Sequence, residues 1–222
     1  MKLTNRLASL LGISLAVMVL PFLVLTNVNL LMTPQFVYYE YGRSEFPPAT
    51  RYDPTARTRF AVATVRYTRG ELNDDDLNNL GVYSERELVH MRDVQHIAVP
   101  ALAMNYVLGA LLLVITVALA RAGKWAVARR GLFKGASVSV TLLAAVGLFA
   151  LVAFDSFFVA FHRVFFVGDS WLFAYTDSLI QFYPQPLWVE ASIGIVFLTV
   201  LEAIMLAGIT FPRAQRTEML PA

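Results

Sequence analysis

Histidine is the side chain whose ordinary pKa falls nearest neutral pH, so it is the first place to look for proton transfer. This chain has three, His90, His96 and His162, and each stands near the end of a long apolar run. At ~100° per residue, Glu87, His90, Asp93, Val94 and Ile97 share one helix face. Asp93 is therefore placed to orient the His90 imidazole or to raise its pKa. His96 lies about 240° round the same helix, so the two do not chelate one metal, and it reads as an interfacial side chain. His162 opens the stretch Phe161-His162-Arg163-Val164-Phe165-Phe166-Val167-Gly168-Asp169-Ser170-Trp171-Leu172-Phe173. Asp155, seven residues earlier, falls on nearly the same face ~10 Å deeper, suited to a water relay or to pairing with Arg163. Arg163 and the backbone N–H groups near Gly168 are candidate donors to a developing oxyanion.

Other chemistries find no support. Without cysteine there is no disulfide, thiolate zinc site or thiol nucleophile. No G-x-S-x-G, phosphate loop or H-E-x-x-H occurs, and zinc catalysis would have to gather ligands from distant positions. We expect no metal and no cofactor. Asp74, Asp76, Asn78 and Glu85 follow the spacing of a calcium loop, but Asn79 replaces its turn glycine, so a solvated acidic turn is expected.

The elements that carry these residues are dictated by hydropathy. Of 222 residues, 57% are apolar and 15% charged, where a soluble domain carries roughly 25% charged residues. The mean hydropathy of +0.58 points the same way, and 13% aromatic content excludes disorder. About 20 apolar residues suffice to cross a bilayer as a helix. Residues 1–32 hold the N-terminus and a first span, too long and without the small-residue site of a cleaved leader. Residues 97–120 form a second span, 135–160 a third that Asp155 interrupts, and 188–222 a fourth span and tail. The fourth carries Glu202 inside its apolar run, so it is expected to pack within a bundle.

Basic residues set the orientation. The loop 121–134 holds five Lys/Arg and no acid, the N-terminus holds Lys2 and Arg6, and the tail holds Arg213 and Arg216. Both termini and this loop are therefore expected in the cytoplasm, the loop touching anionic headgroups rather than nucleic acid. Segments 33–96 and 161–187 then lie outside, which puts all three histidines on the outer side. The first of these reads as a folded helical cap. Asp53-Pro54 starts a helix that Gly70 stops, and Ser84 with Glu87 forms a capping box for another, with Pro100 as its kink or break. From Phe161 to Trp188 nine of 28 residues are aromatic, which fits an interfacial belt or the wall of a lipid pocket.

Two blocks together with this layout resemble a known family. The blocks are Ser84-Glu85-Arg86-Glu87-Leu88-Val89-His90-Met91-Arg92-Asp93-Val94 and Phe161 to Phe173 as quoted above, continued by Asp177-Ser178-Leu179-Ile180 and Phe182-Tyr183-Pro184. They are similar to the bacterial lipoprotein intramolecular transacylases, small proteins with four membrane helices and an extracellular cap. The resemblance implies an all-α integral membrane protein of the bacterial plasma membrane that moves an acyl chain from the sn-2 position of a lipoprotein's diacylglyceryl group to its N-terminal cysteine amine. It implies His90 and His162 as the catalytic pair, with Glu87, Asp93, Asp155, Arg163 and Asp169 in support. Phe165, Phe166, Trp171 and Phe173 would shape the pocket for a diacylglyceryl lipoprotein within membrane lipid, the protein acting as a monomer. A membrane scaffold or sensor with a partner-binding cap is the rival from outside enzymology. A transporter using Asp155 and Glu202, or a hydrolase releasing fatty acid, are further alternatives.

Overall fold

The structure, a computed structural model, describes residues 3–212, and every regular element in that range is a helix. Four are long and apolar enough to cross a membrane: α1 (Asn5–Leu31), α5 (Glu85–Arg121), α6 (Trp125–Val152) and α9 (Gln185–Thr210). A helix satisfies its backbone polar groups internally, which is what hydrocarbon demands. Helix α1 packs against α5, α6 and α9, and α6 packs against α9. Lys2, Arg213 and Arg216, on which part of the orientation rests, lie outside the described residues.

Small residues bring α1 and α6 together. A Cβ added to Gly131 would stand 2.4 Å from the Gly12 carbonyl oxygen, and one on Gly135 2.7 Å from that of Ala16. Apolar side chains gain little by leaving lipid for protein, so close backbone approach supplies the packing instead. The spacing Gly131-x-x-x-Gly135 is the sequence trace of this contact. Gly131→Leu is expected to destabilise the bundle by about 1–3 kcal/mol, the usual cost of overpacking. Unfolding in detergent with rising SDS would measure it, and an unchanged midpoint would contradict the contact.

Polar side chains in the bundle turn inward. Asn27, fully buried, donates from Nδ2 to Glu202 Oε2 at 2.9 Å and to Thr199 Oγ1 at 3.0 Å. Thr26 donates to Asn105 Oδ1 at 3.1 Å. Glu202 thus faces protein, as the cost of a carboxylate in hydrocarbon requires.

Three local features differ from the sequence reading. Of the kink or break expected at Pro100, the break is absent: α5 runs through it as one helix, because proline removes only one backbone donor from a long, otherwise bonded helix. Helix α6 begins at Trp125, so most of the basic segment 121–134 is helical and the turn is confined to residues 122–124. The third apolar run does not continue as one helix to residue 160: Ala153, at φ −141° and ψ 56°, separates α6 from α7 (Phe154–Phe165). Asp155 consequently lies in the first turn of a new helix, where a carboxylate favours the N-terminal dipole.

A second hydrophobic core is built from α2 (Pro34–Tyr41), α3 (Pro54–Thr68), α4 (Asp74–Asn78), the start of α5 and α8 (Ser178–Phe182). Its helices start where the caps predict. Asp53 accepts from the backbone N–H of Thr55 and Ala56, both at 2.9 Å, and Ser84 with Glu87 closes a capping box. Asp76 forms a capping box with Asn73 and Asp74 accepts from the Tyr67 hydroxyl, so two acids of the calcium-like spacing serve the local fold. Buried Arg57 donates to the carbonyls of Gln181, at 2.8 Å, and Pro47, at 2.6 Å, while its guanidinium lies over Tyr41. Tyr183 donates to the Ala61 carbonyl. The short α8 is thereby fixed from several sides, and it carries the chain that follows the His162 block.

Candidate active site

His90 lies on the second turn of α5 and is 8% exposed, ahead of that helix's membrane run. His162 lies near the end of α7. The two elements are far apart in sequence, and the structure brings both histidines against one aromatic side chain. The Phe166 ring centroid is 4.9 Å from that of His90 and 5.6 Å from that of His162. Phe173 covers His90 from another side at 5.3 Å. Phe158 and Trp171 flank the His162 ring at 4.0 and 4.7 Å. The result is a pair of imidazoles in an aromatic enclosure.

Two anchors hold the connecting segment. Arg86, one turn before His90, donates to the Asp169 carbonyl at 2.6 Å and lies over the Phe173 ring. The Trp171 indole donates to the Gly168 carbonyl at 3.1 Å. Glu87, 3% exposed, accepts from the Ser84 backbone and hydroxyl on Oε2 and from the Leu179 N–H on Oε1, each at 2.8 Å. One carboxylate therefore caps α5 and ties it to α8, so Glu87 supports the site by fixing its two carriers.

The two histidines have different electrostatic settings. His162 Nδ1 lies 2.8 Å from the Phe158 carbonyl. A carbonyl only accepts, so Nδ1 carries the proton and Nε2 keeps its lone pair in the neutral ring. His90 Nδ1 is buried with no hydrogen-bond partner among the described residues. A bare lone pair there is less costly than a buried unpaired N–H, which favours the tautomer with the proton on Nε2. Burial, with the nearby His162 adding to it and Asp93 opposing, pushes the His90 pKa from 6.5 to about 4. Burial also lowers that of His162, against the hydrogen bond to Phe158. Burial thus favours the neutral form of both rings.

The remaining predicted residues are dispersed. Asp93 shares the helix face but makes no hydrogen bond to His90, acting on it only through space. Asp155 is exposed and accepts from Gln185 Nε2 at 2.7 Å, bracing α7 against α9. Arg163 is exposed, and the Asp169 side chain faces outward while its backbone serves Arg86. Phe165 packs on Phe161 at 4.9 Å, and His96 is exposed. Sequence reading missed Phe158 and Arg86. Each stands four residues before a histidine on its helix, the spacing that stacks side chains on one face.

Four helices long and apolar enough to cross a membrane, with two histidines packed among aromatics beside a second helical core, define the class as a helical membrane protein. Residues 10–188 match the family described as lipoprotein intramolecular transacylase Lit, and the chain belongs to that family of membrane acyltransferases. A protein of Aquifex aeolicus described as uncharacterized is 24% identical over 205 residues, covering 85% of this chain and 88% of its own. The fold is similar to that of the membrane integral lipoprotein intramolecular transacylase Lit from Bacillus cereus, at a TM-score of 0.78 and 16% identity, over 93% of this chain and 95% of that one. A variant of that protein with one histidine replaced by alanine matches at a TM-score of 0.56 and 15% identity, over 93% of each chain.

Proposed function

We propose that the chain transfers the sn-2 acyl group of a diacylglyceryl lipoprotein to the α-amine of the same molecule's N-terminal cysteine. The observation that carries this reading is the pair of imidazoles packed against Phe166, in the family whose name describes that reaction. Amine and ester belong to one substrate, so the protein's main task is to fold that substrate onto itself. Proximity of this kind supplies ~7–11 kcal/mol of the barrier. In this reading the second helical core is the outer cap, both termini are cytoplasmic, and the site opens at the extracytoplasmic face of the plasma membrane. Both histidines come from one chain, so a monomer suffices.

The tautomers assign roles. The neutral α-amine attacks the ester carbonyl carbon. His162 Nε2 takes the amine proton, and the resulting imidazolium returns it to the departing sn-2 oxygen as the C–O bond breaks, so the proton count balances. His90, kept neutral, donates from Nε2–H to the tetrahedral oxyanion without giving up its proton. Phe166, Trp171 and Phe173 exclude water, which keeps transfer ahead of hydrolysis.

Two predictions follow from this arrangement. Purified protein given a mixture of two synthetic diacylglyceryl lipopeptides, one carrying isotope in both its peptide and its sn-2 chain, should yield N-acyl products with no exchange of label between them. Exchange of acyl chains, or release of fatty acid in place of the amide, would contradict intramolecular transfer. Secondly, ring ¹⁵N signals of His90 should keep the neutral pattern down to about pH 5 and reach half-protonation near pH 4. Because the folded pKa is below the unfolded 6.5, His90's contribution to stability is fully present above pH 6.5. It is lost as pH falls from there towards 4. Half-protonation at or above 6.5 would remove the basis for a neutral donor.

A further inference from the structure

A second site lies on the opposite side of α9 from the histidines. Trp188 packs on Phe158 with ring centroids 6.4 Å apart, whereas Glu190, about 200° round the helix, faces α2. Arg43, just past α2, places Nη1 3.2 Å from Glu40 Oε2 and 3.1 Å from Glu190 Oε1. One guanidinium therefore serves two carboxylates. Glu40 is 1% exposed, and its Oε1 has no hydrogen-bond partner among the described residues. Burial raises the Glu40 pKa, Arg43 opposes the shift and Glu190 adds to it, the behaviour of a carboxylate short of positive partners.

Both carboxylates line a groove of about 430 Å³ between the end of α1, α2 and the start of α9. Thr33 and Gln35 add polar groups near its head, and the rest of its wall is largely apolar, with Leu31, Ile193 and Phe197 along the spans. Acid at the head and hydrocarbon below match an amphiphile whose head is cationic. Arg43, partly exposed, adds a donor suited to an anionic oxygen next to that cation.

We propose that this groove binds a phospholipid with a primary ammonium head, of the ethanolamine class. Its ammonium donates to Glu190 with the Glu40 carboxyl buried behind it, its phosphate accepts from Arg43, and one acyl chain lies along Leu31, Ile193 and Phe197. A primary ammonium has three N–H donors and a quaternary one has none, so choline heads fit less well. Glycerol heads bring only further negative charge. The site is separate from the histidines and does not depend on the acyl-transfer reading.

The test is native mass spectrometry of the full-length protein released from detergent holding equal amounts of ethanolamine, choline and glycerol phospholipids. We expect ethanolamine lipid to be retained about tenfold over either competitor, the size of a charge-assisted hydrogen bond expressed as an affinity ratio. Glu190→Gln should reduce that preference several-fold, and Glu40→Gln with Glu190→Gln should abolish it. Should the double variant fail to fold, Glu190→Gln alone decides, because that side chain is partly exposed. Equal retention of the three lipids, preference for the glycerol head, or a preference untouched by Glu190→Gln would each overturn the proposal.

Discussion

His90→Ala and His162→Ala are each expected to lower transacylation by about 10²–10⁴-fold, the range typical for removing a positioned acid–base group. The double variant should be little worse than either, because proton transfer and oxyanion binding serve one transition state and such losses do not add. In the proposed mechanism His162→Ala removes the group that carries the proton from amine to leaving oxygen. There His90→Ala removes the proposed oxyanion donor and also opens space beside Phe166 and Phe173, so His90→Gln is the more conservative probe. Circular dichroism and melting of each variant separate a lost group from a lost fold. Folded variants with full activity would refute the two-histidine site.

Glu87→Ala is expected to carry the largest cost to stability among the residues around the site. It removes the capping-box acceptor of the Ser84 N–H, a hydrogen bond worth ~0.5–1.5 kcal/mol, and leaves the buried Leu179 N–H without its acceptor, worth ~1–3 kcal/mol. The combined loss should be about 2–4 kcal/mol. Glu87→Gln keeps one acceptor oxygen and should recover part of it. Because Glu87 joins α5 to α8, activity should fall in step with stability in both variants. An alanine variant that melts normally yet is inactive would instead place Glu87 in the chemistry.

Much of this was legible in the sequence, for identifiable reasons. The spans follow from runs of apolar side chains that leave a helix no other solvent. The cap at Asp53 and the box at Ser84 and Glu87 are local hydrogen-bond patterns, which is why they read directly from residue order. His90 and His162 stood out because histidine is rare here and because their blocks resemble the transacylases. What the sequence hid is tertiary. Nothing in the order of residues shows that Phe166 touches both histidines, that the Phe158 carbonyl fixes one tautomer, or that Glu87 reaches the Leu179 N–H. The break at Ala153 was hidden because apolar residues continue through it, so hydropathy sees one run where the backbone makes two helices. Asp93 was legible in part: its spacing places its charge where it raises the His90 pKa, but it makes no hydrogen bond that would orient the ring.

The central claim is that an acyl group moves within one lipoprotein onto its own amine. The most direct measurement is tandem mass spectrometry of a lipoprotein's N-terminal lipopeptide, from cells lacking any other N-acylating enzyme, with and without this chain. Intact mass is blind to the reaction, because substrate and product are isomers, so the fragments must locate the acyl group. The account predicts an N-acylated cysteine bearing a monoacylglyceryl thioether when the chain is present, and a free amine on a diacylglyceryl thioether when it is absent or carries His162→Ala. A folded wild-type protein that leaves the amine free across several lipoproteins would contradict it.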